Sequence, residues 1–486
     1  MIKEIRFSNF RNLNGTYSFD KKINIVVGKN SSGKSNLLDG IKLAFNSLIG
    51  NYSPIVLSDF TNSDDNNNIE IEVLLHEDAI PSLLYFDSTK YQTCGFKVII
   101  RRTESGKYIK HVRHLSGGQI DLEIAREDSK LPKIHEIPLQ RIEDILTSGF
   151  TFGITQFIES EEKYRDVIRD SKLEIKKQIE KKEVEFTKLC NKFNQKLRIE
   201  LSNPKLGNEK LYLVDGDKEH NLKIGSGYKS VANILLNSIN DEFNIIIIDE
   251  MENHLHPSLI RSLIREMRNI PNIQVITTTH SPVVINEMFL SELIDISGVR
   301  LSQIQDDPKS SIKKKLNRFL HPGRNELIFA DNIVLVEGYT EEILLKNFLL
   351  SNNKNWTIIN VGGVMFEPYI LLAKLLQKKL VVVSDNDKTL SESKSKSARF
   401  INLEQICGDN NVRIIEVDNT MESDLYCNNF IDSRFEDLLS THQVFTDVKI
   451  AKPKQKTTIV DRMIELDIDL SDWHVIKGIT DEFENN

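Results

Sequence analysis

Cysteine is scarce in this sequence. Cys94, Cys190, Cys407 and Cys427 stand far apart, with neither close pairing nor metal-ligand spacing. That excludes a disulfide framework and a cysteine zinc site, and leaves packing in a reducing compartment as their role. Long apolar runs are missing too. No stretch reaches the roughly 18 residues that a membrane-spanning helix needs, and the opening "MIKEIRFSNF" alternates like a strand instead of forming a signal-peptide core. An excess of positive charge is also lacking. With 63 basic and 71 acidic residues, the chain is not coated in positive potential, and any nucleic-acid surface must be local. These absences predict a cytoplasmic protein with no membrane partner. The 486 residues are enough for two or three separate cores.

Periodicity gives the organisation. "IKEIRF" and "INIVVG" alternate as strands and lead into a helix-like "SNLLDGIKLAFNSLI". After the polar "TNSDDNNN", three period-2 runs, "IEIEVLL", "FKVIIRR" and "KYIKHVRHL", predict antiparallel strands. From about Ser160 to Leu201 the sequence is Lys/Glu-rich, with an apolar stripe at Ile168, Ile175, Ile179, Phe186, Leu189, Phe193 and Leu197. This predicts one long amphipathic helix, lying on its own domain or pairing with a second copy of the chain. Buried strands return in "IIIID" and "QVITTT", joined by a helix-like "PSLIRSLIREMRN". Beyond a Lys-rich linker, a new alternation starts at Asp331: "NIVLVE", "WTIINVGG", "KLVVVSDND" and "VRIIEVD", with helical stretches between. Four short apolar strands so separated predict a small parallel sheet with helices on its faces and a domain boundary near Ala330.

"GKNSSGKS", Gly28 to Ser35, fits the phosphate-loop pattern and stands between a strand and a helix, where that chemistry needs it. Gly28 and Gly33 let backbone N–H groups wrap phosphates, with Asn30 and Asn36 in and beside the loop. Lys34 reaches the outer phosphates, and the Ser35 hydroxyl ligates magnesium. Downstream, "IIIIDE" supplies Asp249 to hold the magnesium and Glu250 to polarise the attacking water. His280, in "TTTHSP", ends the next strand and can reach a γ-phosphate. His254 and His256 in "ENHLHP" invite a zinc reading, but no further ligands stand at suitable spacing.

"FRNL", the phosphate loop, "IIIIDEMENHLHP" and "TTTHSP" resemble the ATPase heads of the ABC class related to chromosome-maintenance and recombination-mediator ATPases. The likeness covers roughly residues 1–300 and implies that Arg11 contacts the nucleotide. It also implies that two heads sandwich ATP between one head's phosphate loop and the other's signature motif, which opens a helix shortly before Asp249. "LSGGQ" at 115–119 spells that signature but stands far upstream, between "KYIKHVRH" and "IDLEIA", as a hairpin turn whose Gly117 and Gly118 supply positive φ. The working signature is expected at 225–230, with Ser226 and Gly227 as contacts. Gly225 stands where the signature serine would be.

In the C-terminal sheet, carboxylates follow strand ends: Glu337 after "NIVLV", Asp385 and Asp387 after "LVVVS", and Glu422 after "VRIIEVDNT". Glu341 lies one helical turn beyond Glu337. The carboxyl ends of neighbouring parallel strands share one edge, where so many carboxylates would repel unless divalent cations sit among them. "VEG", "VGG" and "DND" resemble the TOPRIM fold of topoisomerases, primases and some nucleases. An ABC-type head followed by TOPRIM resembles the OLD (overcoming lysogenization defect) family of nucleases, whose relatives include the Gabija nuclease subunit and retron-associated effectors. The resemblance implies that Glu337, Glu341, Asp385, Asp387 and Glu422 hold two magnesium ions, with Ser384 beside them. It also implies that a C-terminal lysine, here Lys477, assists cleavage.

The expected fold class is α/β: an ABC-type ATPase head with an antiparallel subdomain and a long helical insertion, followed by a TOPRIM parallel-sheet domain. The expected bounds are 1–158 and 206–330 for the head, 159–205 for a helical insertion that could serve dimerisation, 331–440 for TOPRIM and 441–486 for a C-terminal extension. The expected activity is an ATP-regulated, metal-dependent DNA endonuclease in anti-phage defence, using ATP and magnesium, with manganese as an alternative ion. Its partners are DNA, met by basic groups near Lys313 to Arg318, further copies of the chain, and a partner protein or retron or helicase component. A topoisomerase would need a tyrosine nucleophile in a separate DNA-gripping domain, for which there is no room. The alternative is an ATP-dependent DNA-binding scaffold or sensor whose second site is vestigial or serves a partner effector.

Overall fold

The computed structural model describes residues 1–29, 31–50, 54–76, 94–115, 118–127, 132–137, 197–201, 211–215, 231, 234–235, 244–253, 255–299, 325–350, 356–363, 365–387, 396–408, 411–441 and 448–484. The chain divides into two units, Met1–Arg300 and Leu301–Asn486.

In the first unit, β1 (Ile2–Phe10) buries Ile2, Ile5, Phe7 and Phe10, and register shifts between Ile2 and Glu4 and between Phe7 and Phe10 break the strict alternation that its sequence predicts. It pairs antiparallel with β2 (Leu13–Ser18) and β4 (Ile69–Leu75) in a sheet ordered β2-β1-β4-β5-β6, where β5 is Gly95–Arg102 and β6 is Tyr108–His114. A second sheet is parallel throughout, ordered β12-β3-β11-β10-β7. Its strands are β3 (Ile23–Val27), β7 (Ile134–Ile137), β10 (Ile245–Ile248), β11 (Gln274–Thr279) and β12 (Leu293–Asp295). Strands β3, β10 and β11 are buried along their whole length. That is why they read as unbroken apolar or Thr-rich runs without alternation.

Helix α1 (Lys34–Leu48) buries Leu37, Leu38, Ile41, Ala44, Phe45 and Leu48, a stripe at helical spacing, in one core with residues of both sheets. A Cβ at Gly40 would come within 2.4 Å of the Phe7 ring, so only glycine lets the helix lie this close. The buried Gln274 ties the sheets together. Its amide donates to the carbonyls of Ile2 and Phe19 and accepts from the Ile2 N–H, which satisfies backbone groups that no neighbouring strand reaches.

Two expectations need correction. Residues Leu197–Leu201 do not continue the long helix; they form strand β8, antiparallel to β9 (Leu211–Asp215). "LRIEL" alternates with period 2 and also places leucines four apart, so it satisfies both patterns. The remainder of the predicted helix, up to Phe193, lies outside the described residues. At "LSGGQ" the chain does reverse: the His114 N–H donates to the Gly118 carbonyl at 2.8 Å, and Arg113 bridges antiparallel to Gln119. Gly118, however, is not among the positive-φ glycines, and "IDLEIA" leads into helix α2 (Leu122–Glu127) instead of a returning strand. Ser116 and Gly117 lie outside the described residues.

The second unit holds a four-stranded parallel sheet ordered β14-β13-β15-β16, made of β13 (Asn332–Val336), β14 (Trp356–Asn360), β15 (Lys379–Asp385) and β16 (Val412–Val417). The chain runs from β13 outward to β14, then returns to the other side for β15 and β16. The carboxyl ends of β13 and β15 therefore flank the point where the winding direction switches, which is where open α/β sheets form a crevice. A short hairpin of β17 (Leu439–Thr441) and β18 (Lys449–Ala451) follows, then two helices, Lys456–Glu465 and His474–Glu484. Ile459, Val460, Met463, Trp473, Val475 and Ile479 join the core of the parallel sheet, so the C-terminal residues pack as part of this unit.

Candidate functional site

Two constellations form, one at the carboxyl edge of each parallel sheet. In the first unit, the phosphate loop leaves β3 and enters α1 at Gly33, whose φ of 107° favours glycine and whose added Cβ would fall 2.4 Å from Asn12 Nδ2. No side chain caps the first turn of α1, and the Ser32 hydroxyl is buried without a hydrogen-bond partner. Open N–H groups at a helix start, together with an orphaned hydroxyl, fit a bound phosphate. The buried Lys34 ammonium donates to the carbonyls of Gly28 (2.8 Å) and Lys29 (2.6 Å). Burial holds its pKa below the usual lysine value, against the opposing pull of Glu250, Asp249 and Glu252.

Register brings the other motifs alongside. Ile248 pairs with Thr277 and Thr279 with Val27, so β3, β11 and β10 end together. Asp249 Oδ2 accepts from Ser35 Oγ at 2.8 Å, and Asp249 Oδ1 accepts from Thr278 Oγ1 at 2.5 Å. Glu250 sits in the left-handed region with φ 51°. Its N–H donates to Thr278 Oγ1, and its Oε2 accepts from Asn253 at 2.9 Å. His280 Nδ1 lies 3.6 Å from Glu250 and 3.4 Å from Glu252. Glu252, which sequence reasoning did not single out, accepts from Thr279 Oγ1 (2.8 Å) and from the His280 N–H (2.9 Å). Its place two residues after Glu250 was the available signal.

Arg11 stands nearby but is engaged by Asp39 (2.7 Å), Asp59 (3.0 Å) and the Asn36 side-chain oxygen (2.8 Å). Burial would lower its pKa, but Asp39 and Asp59 outweigh burial and raise it. His256 caps a helix, its ring accepting from the Ser258 N–H. Asn30, Ser226, Gly227, His254 and the Lys313–Arg318 segment lie outside the described residues.

In the second unit, Glu337 follows β13, and its Oε1 accepts from Ser384 Oγ (2.7 Å), the Asp385 N–H (3.1 Å) and Arg399 Nη1 (2.9 Å). Asp385 is 9% exposed; burial first, then the Glu337, Glu341 and Glu422 carboxylates, push its pKa well above the ordinary value. Glu341 is raised likewise, mainly by burial. Glu422 is fully buried, and neither of its carboxylate oxygens has a hydrogen-bond partner. The structure thus brings Glu337, Glu341, Asp385 and Glu422 within electrostatic reach of one another, and Arg399 links Asp387 to Glu337.

Lys477 does not join them; its ammonium pairs with Asp472 at 2.7 Å on an exposed surface. Lys456 does, with Nζ 3.4 Å from Glu422 Oε1. Burial would lower the Lys456 pKa, but Glu422, Asp385 and Glu341 outweigh it and hold it above the ordinary value. Between the aspartates, the buried Asn386 donates to Glu416 (2.8 Å) and Asp418 (2.9 Å), which fixes the loop.

Among the described residues no three carboxyl, imidazole or thiol groups already converge as a ligand set. Arg399 draws Glu337 and Asp387 to itself, and Lys456 faces Glu422. Glu422, whose buried oxygens make no close hydrogen bond and which shares the crevice with Asp385 and Glu341, nevertheless fits a divalent cation, because the single charge of Lys456 does not balance the cluster. Among the described residues no helix is long and apolar enough to cross a membrane.

Comparison with known proteins agrees with this division. Residues 1–200 match an AAA ATPase domain model, and residues 225–286 match an AAA domain model named for the AbiEii toxin of a Type IV TA system. Residues 328–387 match the overcoming lysogenization defect protein-like TOPRIM domain. The chain is similar to an OLD nuclease of Thermus scotoductus, 25% identical over 445 residues, covering 80% of this chain and 82% of that protein. It is also similar to endonuclease GajA of Bacillus cereus, 30% identical over 200 residues, covering 34% of this chain but only 29% of that protein. A retron ATPase of Vibrio cholerae is 42% identical over 55 residues, 11% of this chain and 10% of that one. The chain thus carries an ATPase domain followed by an OLD-like TOPRIM domain, which together imply nucleotide and divalent-metal use, and it is similar to an OLD nuclease along most of its length.

Proposed function

We propose that this protein is an ATP-regulated, divalent-metal-dependent DNA endonuclease acting in defence against phage. The observation that carries the reading is the cluster of Glu422, buried without a hydrogen bond, with Asp385, Glu341 and Lys456 at the switch point of the second sheet. The names of the similar OLD nuclease and endonuclease GajA support phosphodiester hydrolysis.

Asp385, Glu422, Glu337, Glu341 and Asp387 would hold two magnesium or manganese ions, which, when bound, supply an activated water and a stabilised leaving oxygen. Ser384 orients Glu337 by its 2.7 Å hydrogen bond. Lys456 keeps its proton at Nζ and so serves as a fixed positive charge for the scissile phosphate, in the role expected of Lys477. In the head, Lys34 binds the outer phosphates, Ser35 and Asp249 hold magnesium, Glu250 orients water and His280 reaches the γ-phosphate. The head works as a homodimer or higher oligomer, Ser226 and Gly227 of a second copy closing on ATP, and nucleotide state sets DNA access to the nuclease. The protein acts in the cytoplasm and answers to a partner component that reports infection.

The test is cleavage of plasmid DNA with magnesium or manganese, with and without ATP. Nicking or linearisation that requires the metal and changes with nucleotide is the expected result. A protein that binds DNA and turns over ATP but cuts with neither ion would be a scaffold or sensor instead.

A further inference from the structure

Arg399 is absent from the chemistry above, yet its guanidinium sits in the middle of the carboxylates. Nη1 donates to Glu337 Oε1 (2.9 Å), Nε (3.0 Å) and Nη2 (2.5 Å) to Asp387 Oδ2, and Nη2 to the Asp385 carbonyl (2.9 Å). Four of the five guanidinium N–H donors are thereby used, on groups from both sides of the crevice. The side chain is three-quarters buried, and a guanidinium stays charged in any protein environment.

We propose that Arg399 is a built-in counter-cation of the carboxylate cluster, competing with a divalent ion for the oxygens of Glu337 and Asp387 and so setting how tightly that ion binds. The inference rests on the metal-binding reading of the site. A surface ion pair would have no such consequence, because neither partner would have another cation to hold. Here both partners are residues assigned to the ions, and Asp387 is kept in left-handed backbone (φ 51°) while the arginine grips it. Repulsion between a divalent ion and a fixed positive charge about 5 Å away is worth more than one factor of ten in affinity, even with water-like screening. Arginine also supplies what lysine could not: its planar fork spans two carboxylates at once.

The experiment is manganese binding to the full chain, followed by electron paramagnetic resonance of the free ion and by thermal unfolding with and without manganese. Arg399→Ala should bind manganese about tenfold more tightly than the parent, unfold at lower temperature in chelator, and gain more from added manganese. Arg399→Lys, which keeps the charge but not the fork, should fall between the two. Nucleotide binding by the head, retained in each variant, shows that the chain is folded. Unchanged or weaker manganese binding in Arg399→Ala, with the parent binding normally, overturns this inference alone. Absence of binding in the parent, or binding indifferent to Asp385→Ala, overturns the metal reading and this inference with it.

Discussion

The two parallel sheets present their carboxylates in opposite ways. At the edge of the first, Asp249 accepts from two hydroxyls, Ser35 and Thr278, and Glu250 is steadied by Asn253. At the edge of the second, Glu422 is buried with no hydrogen-bond donor, and Asp385 is held by burial and like charges in a form that resists ionisation. The first arrangement suits a visitor that carries its own charges and its own magnesium, so the protein need only orient side chains that are already at rest. The second gathers buried carboxylates around few cations, an arrangement that would suit the divalent ions proposed for it. On that proposal one site recognises a ligand, and the other would be completed by it.

Experiments that sever the two sites test this contrast most severely. Asp385→Ala or Glu337→Ala should reduce metal-dependent DNA cleavage by about a thousandfold or more, as expected when a two-metal site loses a ligand, while phosphate release from ATP continues. If both activities fall together, the sites are not separable. In the head, Lys34→Ala should abolish nucleotide binding measured by a fluorescent ATP analogue. Glu250→Gln should keep binding and slow turnover by about a hundredfold; turnover at the parental rate would assign the water to another group.

A smaller effect sharpens the difference in stored charge. Glu422→Gln replaces a buried carboxylate that makes no close hydrogen bond and has Lys456 as its ion-pair partner, and should cancel the stabilisation given by manganese in denaturant unfolding without lowering the stability of the chelator-treated protein. Loss of stability on this change would mean that Lys456 alone satisfies Glu422. For the signature, Ser116→Ala should leave ATP turnover within about twofold, whereas Gly227→Trp should impair it by blocking the contact between copies. Equal losses would reinstate "LSGGQ" as the working motif.

The smallest effect concerns Asp39. Burial would raise its pKa, but Lys42 and Arg11 outweigh burial and hold it below its ordinary value of 3.8. A carboxyl depressed by folding contributes stability that is present above the unfolded pKa and lost as pH falls through the folded one. Asp39→Asn should therefore differ from the parent near neutrality and converge with it only as pH falls below that ordinary value, as read by acid-titrated unfolding.

Much of this was legible in the residues because the motifs sit where strand meets loop. "INIVVGKNSSGKS", "IIIIDE" and "TTTHSP" each mark a buried strand by composition and a site by the polar residue that ends it. Strand order was not legible. Nothing in "NIVLVE" or "KLVVVSDND" says that β13 and β15 are neighbours, which is what brings Glu337 to Asp385. β2 was missed because "LNGTYS" has too few apolar residues to alternate, and β7 because four residues carry too little periodicity. Lys456 was invisible for a different reason. It is one of three lysines in "KPKQK", and only the hairpin of β17 and β18 turns that one toward Glu422. Arg399, just after the polar "SESKSKS", belongs to no motif that would single it out.

The strand order of the second unit also has a consequence in time. Glu337 follows the first strand of its sheet, Asp385 ends the third, Glu422 follows the fourth, and Lys456 opens a helix beyond the hairpin. On the ribosome these groups emerge in that sequence, while the head, made earlier, is free to fold first. The cluster gains its last members only after more than a hundred residues have followed Glu337 out of the ribosome. A nascent chain can therefore hold a nucleotide fold before it holds the complete carboxylate cluster, and, on the proposed function, cutting would have to wait until synthesis has passed Lys456.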